Sequence, residues 1–490
     1  MKKTTYIILF FFITVGLYAQ GDVKKSFTLA DVISLAKDQS PDAIVAKHRF
    51  RASYWEMRSY KAELLPALTL NGSLPNYQRS YSRQFDNGKE QFFEQNNIFT
   101  QAGLSLTQNI GLTGGNISVT SSLERIDDLN ADEKSYLSNP VIVRLEQPIN
   151  GYNELKWKRK IEPKRYEEAK RSFVRDMEQV SSKAVKYFFD LMVAQQNMSI
   201  ADVNLSNADT LFKIAKGRYN IGTIAENELL QMELSFLNAG ADVNDAKIQL
   251  ESNKFRLRSF LGFNNNVDIE LIIEDSVPSF TVDFEKALSL ALEKSPEVTA
   301  FERQILEAKR DVAKAQAQRG ISANLFASFG LTKRDDEFKN VYNSPEQQQG
   351  IRLGVSLPIL DWGRGRGRVQ MAKSQQELIN TEVEQGRTDF KQRVFIDVMG
   401  FNMRNDQVLI SGKADTIAQK RYMVTKQRFL IGKINVTDLN ISQTEKDKAK
   451  NRYIESLRSY WDSYYNLRKL TLFDFVENKD IKYDYTKIVD

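Results

Sequence analysis

The side chains able to do chemistry are few in this chain. It has no cysteine and a single histidine, His48. Disulfides, thiolate metal sites and a Cys nucleophile are therefore excluded. Imidazole metal centres and Ser-His-Asp catalysis lose their partner set. His48 lies in a polar stretch, Ala46-Lys47-His48-Arg49, and reads as a solvated surface residue. Two acids occupy matched settings: Glu228 stands six residues after Gly222, and Asp438 six after Gly432. Paired carboxylates suit acid–base work, but nothing in the sequence builds a substrate pocket around these two. Each reads as a first-turn acid that complements the dipole of a returning helix. The glycine before it permits a tight reversal. The run Trp362-Gly363-Arg364-Gly365-Arg366-Gly367-Arg368 invites a phosphate-loop or RNA reading. Its spacing is GxGxG, without the GxGxxG pattern or a Walker lysine, so a flexible junction between elements is the better reading. The expectation is no catalytic residue, no cofactor and no metal.

Those acids and glycines recur because the chain repeats itself. Phe27–Pro41 (FTLADVISLAKDQSP) returns as Val282–Pro296 (VDFEKALSLALEKSP), offset by 255. Arg218-Tyr219-Asn220-Ile221-Gly222 returns as Arg428-Phe429-Leu430-Ile431-Gly432, offset by 210, and Pro148-Ile149 and Pro358-Ile359 keep that second offset. One long unit is duplicated in tandem. The drop in offset places about 45 extra residues in the first copy, between Pro66 and Pro148. The expected organisation is a signal peptide at 1–19, a first repeat at 20–280, a second at 281–476 and a polar tail at 477–490.

The signal peptide rests on basic Lys2 and Lys3, an apolar run from Tyr6 to Val15, and Ala19 at the cleavage point. That run is shorter than the ~20 residues a spanning helix needs, and no later stretch is apolar enough. Without the two signal lysines the chain has 67 basic and 63 acidic residues, a balance that argues against nucleic acid as a partner.

Each repeat opens with a capped helix, Thr28 to about Glu63 and Asp283 to about Gln318, with Thr28 and Asp31 spaced as a capping box. Alternating stretches follow and predict strands. They are 67–74, 98–108, 116–123 and 141–149 in the first copy, and 322–331 and 351–359 in the second. A very long helix comes next, about 154–219 and 368–430. Phe173, Met177, Val180, Ala184, Phe188 and Leu191 are spaced as a coiled-coil seam on the first. Pro163 either kinks that helix or marks its start. At 1.5 Å per residue each rod runs to roughly 100 Å. Shorter helices return at about 226–260 and 436–472. Between the copies, 263–280 reads as a linker with an apolar patch at Ile269–Ile273.

An exported chain with strands of about ten residues and no spanning helix points to an outer-membrane β-barrel. Leu104-Ser105-Leu106-Thr107 and Ile117-Ser118-Val119-Thr120 put apolar groups on one face and hydroxyls on the other. One chain has too few strands to close a wide barrel, so several chains must share it. The extra residues of the first copy fit one added hairpin: out along 67–74, through Asn87-Gly88, back along 98–108, around Gly111–Gly115, out along 116–123 and back along 141–149; a folded extracellular loop or an outside flap is the competing reading.

At this point the chain resembles the TolC-type outer-membrane channel family. The resemblance covers essentially the whole mature chain. It rests on the duplicated order of elements, on Ser40-Pro41 and Ser295-Pro296 at the repeat starts, on Val355–Arg364 (VSLPILDWGR), and on Arg428–Gly432 followed by Asp438-Leu439. It implies an α+β membrane protein. A homotrimer would share a transmembrane β-barrel and a long antiparallel α-helical, coiled-coil tunnel in the periplasm. It further implies outer-membrane localisation and surrounding lipid. It implies a periplasmic adaptor (membrane fusion) protein and an inner-membrane RND or ABC transporter as partners. The function implied is a passive exit duct of a tripartite efflux pump or type I secretion system, not an enzyme. The family uses four strands per chain, so an added hairpin makes six. Pro148, Gly151, Pro358, Trp362, Gly363 and Arg364 fall at barrel-to-helix junctions, Gly222 and Gly432 at periplasmic tips. Asp438, with Glu228, falls at an acidic entrance ring. The second acid of the family's gate is replaced here by Ile441. The alternative is a periplasmic coiled-coil adaptor or scaffold without a pore.

Overall fold

A computed structural model describes residues 23–86, 89–263, 267–272, 277–431, 433–434 and 436–489. The signal segment 1–19, the Asn87-Gly88 turn and Gly432 lie outside the described residues. The elements in chain order are β1 (Val23–Phe27), α1 (Leu29–Gln39), α2 (Pro41–Glu63), β2 (Ala67–Asp86), β3 (Lys89–Ile110), β4 (Gly115–Asp128) and β5 (Glu133–Pro148). Next come α3 (Glu154–Asn220), α4 (Glu226–Leu261), β6 (Val267–Leu271), α5 (Phe284–Lys294) and α6 (Pro296–Ala317). Last are β7 (Ser322–Asp335), β8 (Glu346–Ser356), α7 (Arg364–Leu430), α8 (Val436–Thr471), β9 (Phe473–Asp474), β10 (Lys479–Asp480) and α9 (Thr486–Val489). The duplication is visible directly: both long helices have 67 residues and both return helices 36.

The leading helices differ from expectation. Each is broken in two at the Ser-Pro pair. Pro41 and Pro296 lack the N–H that a continuing helix needs, and they push the preceding residue to extended backbone. Ser40 and Ser295 adopt ψ of 147° and 138°. Both serines are buried and cap the second segment: Ser40 Oγ accepts from Ala43 N at 3.1 Å, Ser295 Oγ from Glu297 N at 3.2 Å. The capping box at Thr28 and Asp31 forms as its spacing predicts. Pro163 lies inside α3, which continues through it.

The chain divides into two compact units, one of 1–46, 175–287 and 395–481, the other of 47–174, 288–394 and 482–490. In the first, the stretch between the copies is not a plain linker. Strand β6 pairs in parallel with β1, Val23 opposite Val267 through Phe27 opposite Leu271. Gln195 of α3 fills the place of a third strand, donating to Ile269 O and accepting from Leu271 N. An aromatic core of Phe280, Phe401, Tyr460 and Tyr464 joins the segment after β6 to α7 and α8. The seam residues Met177, Val180, Ala184, Phe188 and Leu191 are all buried.

In the second unit Phe50 packs against Phe173 and Tyr485. The C-terminal segment is thus seated rather than loose, with Tyr483 also edge-on to Phe173. Arg165 bridges Glu56 and Glu307, and Arg303 bridges Glu168 and Glu307. This unit holds the single six-stranded sheet, in order β2-β3-β4-β5-β7-β8, every neighbouring pair antiparallel. The added hairpin is part of it: β3 pairs with β2 from Lys89 to Thr107 and with β4 from Asn97 to Ile110. β2 and β3 run well past the predicted ends, because Tyr77–Phe85 and Phe92–Phe99 continue the pairing through polar but β-competent residues.

Candidate functional site

No described helix is long and apolar enough to cross a membrane, and no group of three metal-ligating side chains occurs among the described residues. The functional surface is the sheet. Directly opposed residues of an antiparallel ladder share a face, so the registers sort its side chains. One row reads Leu68, Leu106, Val119, Val143, Phe329, Gln349 across the six strands. The adjacent row reads Ala67, Thr107, Ser118, Arg144, Ser328, Gly350. The first face continues with Leu70, Leu104, Ile117, Leu145, Leu325, Ile351, Leu353 and Val355. The second continues with Thr69, Asn71, Ser105, Thr120, Ser122, Asn139, Gln348 and Arg352. The apolar side chains are open: Leu68 is 68% exposed, Leu70 75%, Ile351 82%. A soluble sheet would cover such a face. Lipid on one side and water on the other account for both faces at once.

Side-chain bonds knit the polar face. Asn139 donates to Ser122 Oγ at 3.1 Å, and Gln348 donates to Asn139 at 3.4 Å. Gln348 reaches across β7 because Gly330 lies between; a Cβ there would meet Val141 O at 2.5 Å. Arg352 stacks on Phe326, its guanidinium carbon 4.8 Å from the ring centre.

The two junctions are built differently. At the first, Pro148 ends β5 opposite Asn324 and Gly151 sits against it, where a Cβ would meet Pro148 Cβ at 2.8 Å. Asn153 does two things there. Its carboxamide oxygen caps α3 by accepting from Lys156 N at 2.8 Å, and its nitrogen donates to Leu112 O at 3.1 Å in the β3–β4 turn. At the second, Pro358 is exposed and Trp362 is 89% exposed, with a positive φ of 54° followed by 84° at Gly363. The Arg-Gly run is helical from Arg364 rather than a flexible loop. Asp361 starts the helix by accepting from Gly365 N at 2.8 Å and Gly363 N at 3.0 Å. Those two bonds hold its carboxyl below the usual range. Sequence reading missed Asn153 and Asp361. The signal was available: Asn153 immediately precedes a helical run, and Asp361 stands three residues before one.

At the tips, α3 ends with Gly222 at φ 77°, Thr223 N donating to Arg218 O at 2.9 Å. Lys433 N donates to Arg428 O at 3.0 Å in the matching place. Tyr422, Phe429 and Leu439 form a core beneath, with Leu211 and Ile434 against it. Glu228 and Asp438 each lie exposed in the first turn of a return helix. Ile441 is half exposed, one turn past Asp438.

Solved structures share this fold across nearly the full length. The CmeC outer membrane channel of Campylobacter jejuni matches with a TM-score of 0.66 at 15% identity, covering 94% of this chain and 88% of that one. The outer membrane protein VceC of Vibrio cholerae matches at 0.63 and 12% identity, covering 93% and 97%. The MtrE outer membrane channel of Neisseria gonorrhoeae matches at 0.59 and 14%, covering 93% and 91%. No curated protein matches the sequence. The family model described as outer membrane efflux protein matches residues 32–263 and 287–471. With most of its length so matched, the chain belongs to the outer membrane efflux protein family, and is a channel protein of the outer membrane reaching into the periplasm, not an enzyme.

Proposed function

We propose that three copies of this chain form the passive exit duct of a tripartite pump. A periplasmic adaptor and an inner-membrane transporter of the RND or ABC type hand cargo to it, and the same duct suits type I secretion of proteins. The observation that carries this reading is the sheet whose opposed residues separate into one exposed apolar face and one hydroxyl-rich face, on strands that run directly into 67-residue helices. A pore-free periplasmic scaffold has no use for the apolar face.

Within the duct, the junction residues Pro148, Gly151, Pro358, Trp362, Gly363 and Arg364 mark the periplasmic edge of the barrel. Exposed Trp362 and Arg364 suit the headgroup layer, where indole and guanidinium groups anchor. Gly222 turns the chain at the first tip, Gly432 is assigned the same role from its matched place in the sequence, and Asp438 and Glu228 set the charge at the entrance. The purified protein should run as a trimer in detergent and conduct ions across a planar bilayer. A monomer soluble without detergent overturns the reading. Capture of partners from its own cells, followed by their identification, tests the adaptor and transporter.

A further inference from the structure

We propose that the wall of the duct in the outer membrane has eighteen strands, six from each of three copies, with the β3–β4 hairpin a full part of it. The inference rests on the trimer proposed above and adds the construction of its barrel.

The sheet has two free edges, β2 and β8. It cannot usefully close on itself, since barrels of even eight strands are filled by their own side chains and leave no duct. Its edges suit another copy of the same chain. Leu68 and Leu70 on β2 lie on the same face as Ile351, Leu353 and Val355 on β8; Thr69 and Asn71 share the other face with Arg352 and Ser356. Laying β8 of one copy beside β2 of the next continues both faces without a break. An even number of strands makes that contact antiparallel, like every other pair in the sheet. Strand β8 has 11 residues, the length a tilted transmembrane strand needs. The apolar stretch of β2 ends at the register shift between Ser73 and Asn76, a comparable span.

The hairpin earns its place by the same criterion as the rest. Leu104, Leu106, Ile117 and Val119 present the apolar face, each more than a third exposed. Ser105, Thr107, Ser118 and Thr120 present the polar one. A hairpin folded away from the barrel would need no such alternation in register with β5 and β7. Eighteen strands about 4.8 Å apart and tilted about 40° give a backbone diameter of about 36 Å. The lumen is lined largely by Ser, Thr, Gly and Asn, with Arg144 and Arg352 among them.

The absence of cysteine makes the test direct. Single variants Ser105→Cys, Thr120→Cys, Leu104→Cys and Val119→Cys are labelled in the assembled, membrane-inserted protein with a charged, impermeant thiol reagent. Paired variants with cysteine at Leu353 and at Leu68 or Leu70 are oxidised and resolved by size. The proposal expects modification of Ser105→Cys and Thr120→Cys, none of Leu104→Cys and Val119→Cys, and cross-linked species up to three chains. Equal labelling of all four positions in a cross-linked trimer removes the hairpin from the wall and overturns the proposal while the trimer stands. Cross-linked species that stop at two chains, or extend beyond three, overturn the trimer itself and the strand count with it. Where a cysteine variant fails to insert, the neighbouring pairs Thr107/Leu106 and Ser118/Ile117 repeat the comparison.

Discussion

Arg468 Nε of α8 donates to Glu178 Oε2 of α3 at 2.7 Å, and Glu178 has no solvent exposure. Lys37 Nζ of α1 donates to the other oxygen, also at 2.7 Å. The two repeats are thus joined through one buried carboxylate held by two cations, and Arg468 reaches on to Asp474. Removing Arg468 leaves the buried Glu178 with Lys37 alone and takes the partner cation from Asp474, a loss bounded by the about 3–5 kcal/mol that breaking a buried pair costs. Arg468→Met should therefore destabilise strongly. The double variant Glu178→Leu/Arg468→Met should recover much of the loss, because it removes the buried charge as well. Denaturant unfolding of the detergent-solubilised protein, as a double-mutant cycle, measures both; additive losses would refute the coupling.

The neighbouring Asp474 gives a pH dependence. Burial opposes its ionisation. Hydrogen bonds from Glu477 N, Tyr464 and Val476 N, with the Arg468 charge, outweigh burial and hold its carboxyl below the ordinary value. A depressed folded-state pKa contributes stability above the unfolded pKa, about 3.9, and that contribution is lost as pH falls below it. Protection of the amides in 473–480, taken relative to the free-peptide exchange rate at each pH, should fall on acidification below about pH 4, and Asp474→Asn should flatten the dependence.

Asn153 holds a helix and a turn together. Asn153→Ala should cost about 1 kcal/mol from the lost cap and also free the Leu112 carbonyl. Asn153→Asp should keep the cap but lose the donor to the turn, and so fall between wild type and alanine. Thermal unfolding of the three proteins gives the order, and equal loss in both variants would show that the cap contributes nothing.

At the tip, three copies of Asp438 around one axis should attract cations into a narrow mouth. Asp438→Asn should lower cation selectivity and weaken block by divalent cations, without affecting assembly. The effect should shrink at high salt, where screening acts within about 10 Å or less. An acid that serves the helix dipole alone predicts a loss of about 0.3–1 kcal/mol and unchanged conduction. Single-channel recording of the variant separates the two.

Much of the molecule was legible in the sequence because its signals are local or repeated. The Leu-Ser-Leu-Thr alternation places 104–107 on opposite faces of β3, and the 210-residue offset aligns both tips. The strand count followed from the length difference between repeats. The added hairpin proved to be paired on both sides. Other features had no local signal. β1 and β6 recognise each other across residues 28–266, and five residues such as Val23–Phe27 resemble any short apolar-basic run. The break at Ser40-Pro41 was legible but misweighed. Propensity on both sides favours helix, and the buried cap that makes the break stable appears only when Ser40 finds Ala43 N. Glu228 and Asp438 are placed where spacing put them, in first turns.

The pairing of β5 with β7 has a consequence for the order of assembly. Strands β2 to β5 are joined by short turns and can zip locally, on the microsecond scale of hairpins. The next partner of β5 begins at Ser322, with residues 149–321 still to emerge between Pro148 and Asn324. Closure over so long a span is slow relative to local pairing. Four of the six strands can therefore pair before the last two arrive, with one apolar face uncovered and the edge of β5 open, a state prone to sticking to other strands. The duplication that doubles the helical rod also divides the wall into an early part and a late part.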